Sequence, residues 1–64
     1  MGKHHFLVNH QNKKYRCYLD EDDGSVYISD EKGNQLIRSI PDPLREIEDA
    51  KVAAIRLIES IDKD

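Results

Sequence analysis

Lys14-Tyr15-Arg16-Cys17-Tyr18-Leu19 runs into Asp20-Glu21-Asp22-Asp23-Gly24-Ser25 and leaves through Val26-Tyr27-Ile28. The reading of this stretch decides the fold. In its first part Tyr15, Cys17 and Leu19 alternate with Lys14, Arg16 and Tyr18. Side chains of a strand alternate between two faces, so this is a half-buried strand with its apolar set inward. Asp-Gly between two such segments is a strong hairpin signal. The second arm places Val26 and Ile28 inward and Tyr27 outward. Two adjacent antiparallel strands therefore share one apolar face, with Tyr18 and Tyr27 on the other.

Working outward, Phe6-Leu7-Val8 forms a short apolar run closed by the turn-suited cluster Asn9-His10-Gln11-Asn12. On the far side, Asp30-Glu31-Lys32-Gly33-Asn34 is a turn and Gln35 to Ile40 a further strand. The facing of that strand is undecided, because Leu36 and Ile40 share a parity with Arg38 while Ile37 lies opposite. Pro41-Asp42-Pro43 ends the strand region, since each proline lacks an N–H and turns its predecessor away from helix. Asp42 is suited to an N-cap and Pro43 to a first helical position. A helix follows, in which Leu44, Ile47, Ala50, Ala54, Ile55, Leu57, Ile58 and Ile61 fall within roughly 160° of arc. Arg45, Glu48, Asp49, Arg56 and Glu59 lie opposite, and Val52 is off the stripe. Arg45 with Asp49, and Glu59 with Lys63, have the spacing of helical ion pairs.

The expected architecture is α+β. A three- to four-stranded antiparallel meander (about residues 5–9, 14–19, 26–29 and 35–40) has a C-terminal helix (about 43–61) packed on one face. Residues 1–64 form a single small domain. Short turns make neighbouring strands pair in order. One helix covers one face, and function is expected on the face left open.

Composition narrows the function classes. The chain has 64 residues, 38% of them hydrophobic and 36% charged, with a formal net charge of −3. No apolar run approaches the ~20 residues of a membrane span. Phe6-Leu7-Val8 is too short for the core of a secretory signal. The one cysteine, Cys17, has no partner for a disulfide, which points to the cytoplasm. A core of this size supplies roughly 3–5 kcal/mol, so burial against a second copy is one route to a firmer fold.

The chemistry-bearing patterns are weak. Asp20-Glu21-Asp22-Asp23 with Glu31 superficially resembles a calcium loop, but Ser25 stands where an EF-hand places glycine, and the flanks are strands. The run reads as a solvated turn. His4, His5 and His10 lack further ligands at zinc spacing, and adjacent His4 and His5 point to opposite faces. Cys17 sits on the inward face, where a thiol behaves as a small apolar group. Gly2, Gly24 and Gly33 are isolated and build no phosphate loop. The expectation is no catalysis, no metal, no cofactor and no small-molecule substrate.

Charge is distributed unevenly. Residues 1–16 hold Lys3, Lys13, Lys14 and Arg16 without an acid, whereas residues 17–64 hold six Lys+Arg and all thirteen Asp+Glu. The parts carry +4 and −7. Lys14, Arg16, Tyr18 and Tyr27 are expected to gather on the open face as the candidate interaction surface. Tyrosine with arginine is the composition of protein-interface anchors, and basic residues with aromatics on a sheet also suit nucleic acid. The leading expectation is a non-enzymatic module binding a protein, or itself as a homodimer, through the open face or a sheet edge. A sheet-based nucleic-acid binder is the alternative. A weaker one is an inhibitor mimicking nucleic acid through Asp20 to Asp23 and the acidic helix face.

The layout of strands followed by a helix carrying Glu48-Asp49-Ala50-Lys51-Val52-Ala53-Ala54 resembles that of the arm-type DNA-binding domains of tyrosine recombinases. It is similar also to small single-stranded-DNA-binding coactivator domains, which dimerise. The resemblance implies a sheet-plus-helix fold and DNA binding. It covers layout alone, and the basic richness of those families is absent here.

Overall fold

The computed structural model describes residues 2–62. Four strands, β1 (Lys3–His10), β2 (Lys13–Asp20), β3 (Ser25–Ser29) and β4 (Gln35–Arg38), precede one helix, α1 (Ile47–Asp62). The strands form one open antiparallel sheet in the order β1-β2-β3-β4, the α+β meander expected from the alternation. The expected Glu59–Lys63 pair lies outside the described residues.

β1 is longer than its apolar run suggests. It pairs with β2 from Lys3↔Asp20 to His10↔Lys13, so the intervening turn is only Gln11-Asn12, both at positive φ (50° and 66°). Left-handed backbone at both central residues is the geometry that matches the twist of antiparallel strands. Asn9 and His10, read as turn residues, belong to the strand.

In the next turn the Gly24 N–H donates to the Asp20 carbonyl (2.7 Å). The Asp20 and Asp23 carboxylates accept the N–H groups of Asp22 (3.0 Å) and Ser25 (2.8 Å). The acidic run therefore supplies turn acceptors as well as charge. Gly24 is left-handed (φ 74°). A Cβ built on it would also land on the backbone carbonyl of Asp42. Glycine is required twice there, for its φ and for the approach of another segment.

That segment is the β4–α1 connector. Ser39 extends the pairing beyond β4: its N–H donates to the Val26 carbonyl (2.8 Å), and its hydroxyl accepts the Val26 N–H (2.7 Å). Arg45 then reaches back and donates to the Gly24 carbonyl (2.7 Å), the Ser39 hydroxyl (2.8 Å) and the Ile40 carbonyl (3.1 Å). Asp42 accepts the Arg45 N–H on its carbonyl (2.9 Å) and the Leu44 N–H on its carboxylate (3.1 Å). Asp42 and Pro43 thus occupy the first two positions of a β-turn, not the N-cap and first turn of the helix. The helix begins later than expected, at Ile47, with the Glu46 carbonyl accepting the Ala50 N–H (2.9 Å). Arg45 precedes the helix and clamps the connector instead of pairing with Asp49. Leu44, assigned to the helical stripe, is 88% exposed.

The core is Tyr15, Cys17 and Leu19 of β2, Val26 and Ile28 of β3, and Ala50, Ala54 and Ile58 of α1. Phe6, Val8, Ile37, Ile47, Ala53 and Leu57 pack around it. Ala50 and Ala54 are fully buried; their small size lets the helix axis approach the sheet. Ile55 was expected on this stripe and is 42% exposed. The facing of β4 is settled by a bulge: Ile28 pairs with Ile37 but Ser29 with Gln35, leaving Leu36 unmatched. Ile37 points inward. Leu36 and Ile40 are exposed, and the strand stops at Arg38 rather than Ile40.

Two predictions follow from the turns. Gly24→Ala is expected to lower unfolding stability by more than ~2 kcal/mol in a urea titration, because left-handed strain alone costs roughly 1–2 kcal/mol and the Asp42 carbonyl must also move. An unchanged midpoint would refute the close approach. Asp30 accepts N–H bonds from Asn34 (2.9 Å) and Lys32 (2.9 Å). The Asn34 N–H, chief among several donors, holds its carboxyl below the ordinary 3.8. A depressed folded value means stability present above the ordinary carboxylate range and lost as pH falls through the folded value. An NMR titration should find the Asp30 carboxyl below 3.8 when folded. Asn34→Ala, which removes the Asn34 Nδ2 bond to the carboxylate (3.2 Å) but keeps the backbone N–H, should move it only part of the way upward.

Candidate functional site

Pairing places His5 opposite Tyr18, Tyr18 opposite Tyr27, and Tyr27 opposite Arg38. These four residues form one row across all four strands on the face opposite the helix. Tyr18 and Tyr27 stack with centroids 4.5 Å apart and planes 12° apart. The His5 ring lies 5.6 Å from Tyr18, tilted by 42°. Lys3 Nζ sits 5.2 Å from the Tyr18 centroid, and Arg38 Cζ sits 5.7 Å from that of Tyr27. Both cations are within cation–π range.

The rings stand on edge like coins in a rack. Tyr18 has Tyr27 on one side and His5 with Lys3 on the other; Tyr27 has Tyr18 on one side and Arg38 on the other. What the row presents outward is ring edges, hydroxyl-bearing tips and cationic groups. A base-stacking surface requires free ring faces, and here those faces are taken.

The neighbouring row of the same face runs Leu7, Arg16, Ser29 and Gln35, and beyond it Asn9 faces Lys14. All four expected residues, Lys14, Arg16, Tyr18 and Tyr27, therefore share the open face. The two tyrosines touch, while Arg16 is one same-face step from Tyr18 and Lys14 is two, each step being ~6.7 Å. Lys3, His5 and Arg38 complete the site and were missed. Lys3 and His5 join it because the two-residue turn fixes the register of β1, and Arg38 because the bulge at Leu36 restores its parity with Tyr27. A sequence signal for the first was present, in the spacing between the apolar residues of β1 and β2. None existed for the second.

Electrostatically the face is one-sided. Its strands carry Lys3, Lys14, Arg16 and Arg38 against Asp20, whose carboxylate is turned into the hairpin to accept the Asp22 N–H. Glu31 of the β3–β4 turn lies at the border beside Lys14 and Arg16. None of the four cations makes an ion pair with another described residue. His4 belongs to the other face and contacts the Glu21 carboxylate. Among the described residues no group of three or more His, Cys, Asp or Glu is placed to hold a metal ion, and no helix is long and apolar enough to cross a membrane. Cys17 is 1% exposed, and burial pushes its thiol up to about 11.

No protein-family model, curated protein or solved structure matches the chain. What fold and site define is an open-faced antiparallel sheet backed by one helix, with a cationic and aromatic outer surface.

Because Cys17 is both buried and protonated, Ellman's reagent at pH 8 should label it slowly in the native protein and rapidly in denaturant. Equal rates would place the thiol at the surface.

Proposed function

We propose that this chain is a small non-enzymatic interaction module that binds another protein through the open face of its sheet. The observation that supports this reading is the row His5, Tyr18, Tyr27 and Arg38, with its packed aromatic pair and exposed cations. Aromatic residues fixed by their neighbours lose little conformational freedom on binding, and Tyr and Arg are the residue types that dominate interface energetics. Leu7, 71% exposed one row away, adds apolar area beside Tyr18. A non-catalytic role agrees with the protonated, buried thiol of Cys17. A cytoplasmic setting is part of the proposal and agrees with a lone cysteine kept as a thiol.

A second reading, nucleic-acid binding, draws on the four cations set against Asp20 on this face. It would work through phosphates, since the ring faces are not open to bases. The overall charge of −3 weighs against it, because a binder driven by counterion release gains from a basic excess.

Exchanging Tyr18 and Tyr27 together for Ser tests the first reading. Both side chains are outward, so the circular dichroism spectrum should be retained. Affinity for a partner isolated with the native chain should fall ~10-fold or more, as expected for loss of two aromatic anchors. Unchanged affinity with an intact fold would remove the open face from the interaction.

A further inference from the structure

The arrangement of charge around the tyrosine pair narrows the chemistry of the partner. Lys3 lies diagonal to Tyr18, Arg16 follows Tyr18 along β2, and Arg38 flanks Tyr27 from β4. Lys14 lies one step beyond Arg16 on the same strand. Strands ~4.8 Å apart and same-face steps of ~6.7 Å spread these cations over three sides of the pair. They do not follow a single line, as a groove tracking a phosphate backbone would require. An aromatic centre with a charged margin is the anatomy of a protein interface, in which the rim stays wetted while the centre is desolvated.

The charges are also without close ion-pair partners, although Arg38 acts at longer range on the Asp23 carboxylate. None of the four is neutralised by an ion pair with a described residue, although the chain holds thirteen carboxylates. Most of the acids are placed elsewhere: in the β2–β3 turn, in the connector, and on the exposed side of α1 at Glu48, Asp49 and Glu59. Glu31 of the β3–β4 turn borders the face beside Leu7, Lys14 and Arg16. A face that keeps its cations free on a net-acidic molecule is electrostatically complementary to an acidic surface.

We infer that the open face recognises an acidic protein segment, whose carboxylates meet Lys3, Arg16, Arg38 and Lys14 while an apolar or aromatic side chain rests against Leu7 and the edges of Tyr18 and Tyr27. The inference rests on the protein-binding reading above and adds the partner's chemistry. The two contributions are separable. Long-range attraction from the rim governs how fast the partner arrives and how strongly salt slows it, whereas the packed centre governs how slowly it leaves.

The experiment is selection of a random peptide library, displayed on phage, against the full-length chain. Binding of selected peptides is then measured for the native protein, for Lys14→Glu/Arg16→Glu and for Tyr18→Ser/Tyr27→Ser, each checked for native circular dichroism. A single-stranded oligothymidylate and sedimentation of the chain alone serve as further arms. Expected are peptides enriched in Asp and Glu around an apolar residue, with association that slows as salt rises. Charge reversal should weaken them roughly 10-fold or more, chiefly through the on-rate, and the tyrosine exchange should act chiefly on the off-rate. Neutral or basic peptides that still depend on Tyr18 and Tyr27 would overturn the acidic partner while leaving the protein-binding reading in place. Absence of any selected peptide, or salt-sensitive binding of the oligothymidylate alone, would overturn both. Self-association lost on charge reversal would assign the face to the acidic surface of a second copy and overturn a separate partner.

Discussion

The absence of a side chain at Gly24 is the constraint on which the rest of the structure depends. The Asp42 carbonyl lies where a Cβ would have been, so the connector can fold down over the end of the β2–β3 hairpin. Arg45 holds it there through Gly24, Ser39 and Ile40. Three acceptors converge on one guanidinium nitrogen, Nη1, and a charged donor forms stronger hydrogen bonds than a neutral one. This docking sets where the connector hands the chain to α1, while the apolar parity of β2 and β3 decides which face of the sheet the helix covers.

With the helix delivered to that face, a modest set of side chains suffices for a core. Fully buried Ala50 and Ala54 bring the helix close, and Ile58 fills the space over Cys17, Val26 and Ile28. β1 is less well buried than β2 because it is an edge strand with a neighbour on one side only: Phe6 and Val8 pack at the margin of the cluster. A domain of this size has little stability to spare. Turn geometry and the Arg45 clamp therefore carry more of the total than they would in a larger protein.

The opposite face owes its character to the same asymmetry. Left uncovered, it is free of the requirement to be apolar, and antiparallel register aligns one residue from each strand into a row. Opposed aromatic pairs on adjacent strands are favourable contacts in themselves, so the Tyr18–Tyr27 stack contributes to the sheet as well as to any interface. That stack turns the ring faces toward one another and the ring edges outward. The distinction bears on function, because edges and hydroxyls suit a protein surface while exposed faces suit bases. The same alignment collects Lys3, Arg16 and Arg38 around the pair although they lie far apart in the chain.

Local patterns carried much of this. Alternation in residues 14–19 and 26–28 assigned Tyr15, Cys17, Leu19, Val26 and Ile28 inward and Tyr18 and Tyr27 outward, because a strand's two faces are determined by neighbouring residues alone. Asp-Gly marked the hairpin, and the spacing of Ile47, Ala50, Ala54, Leu57 and Ile58 marked the buried side of α1. Only tertiary structure decided where that helix begins, since Arg45 is held by Gly24, a residue twenty-one positions earlier. Only tertiary structure turned Ile37 inward and Arg38 outward, because the bulge at Leu36 depends on pairing with β3. The full row of His5, Tyr18, Tyr27 and Arg38 likewise required the register of all four strands. Periodicity is a property of consecutive residues, whereas register and docking arise between segments, and it is those two that build the candidate site.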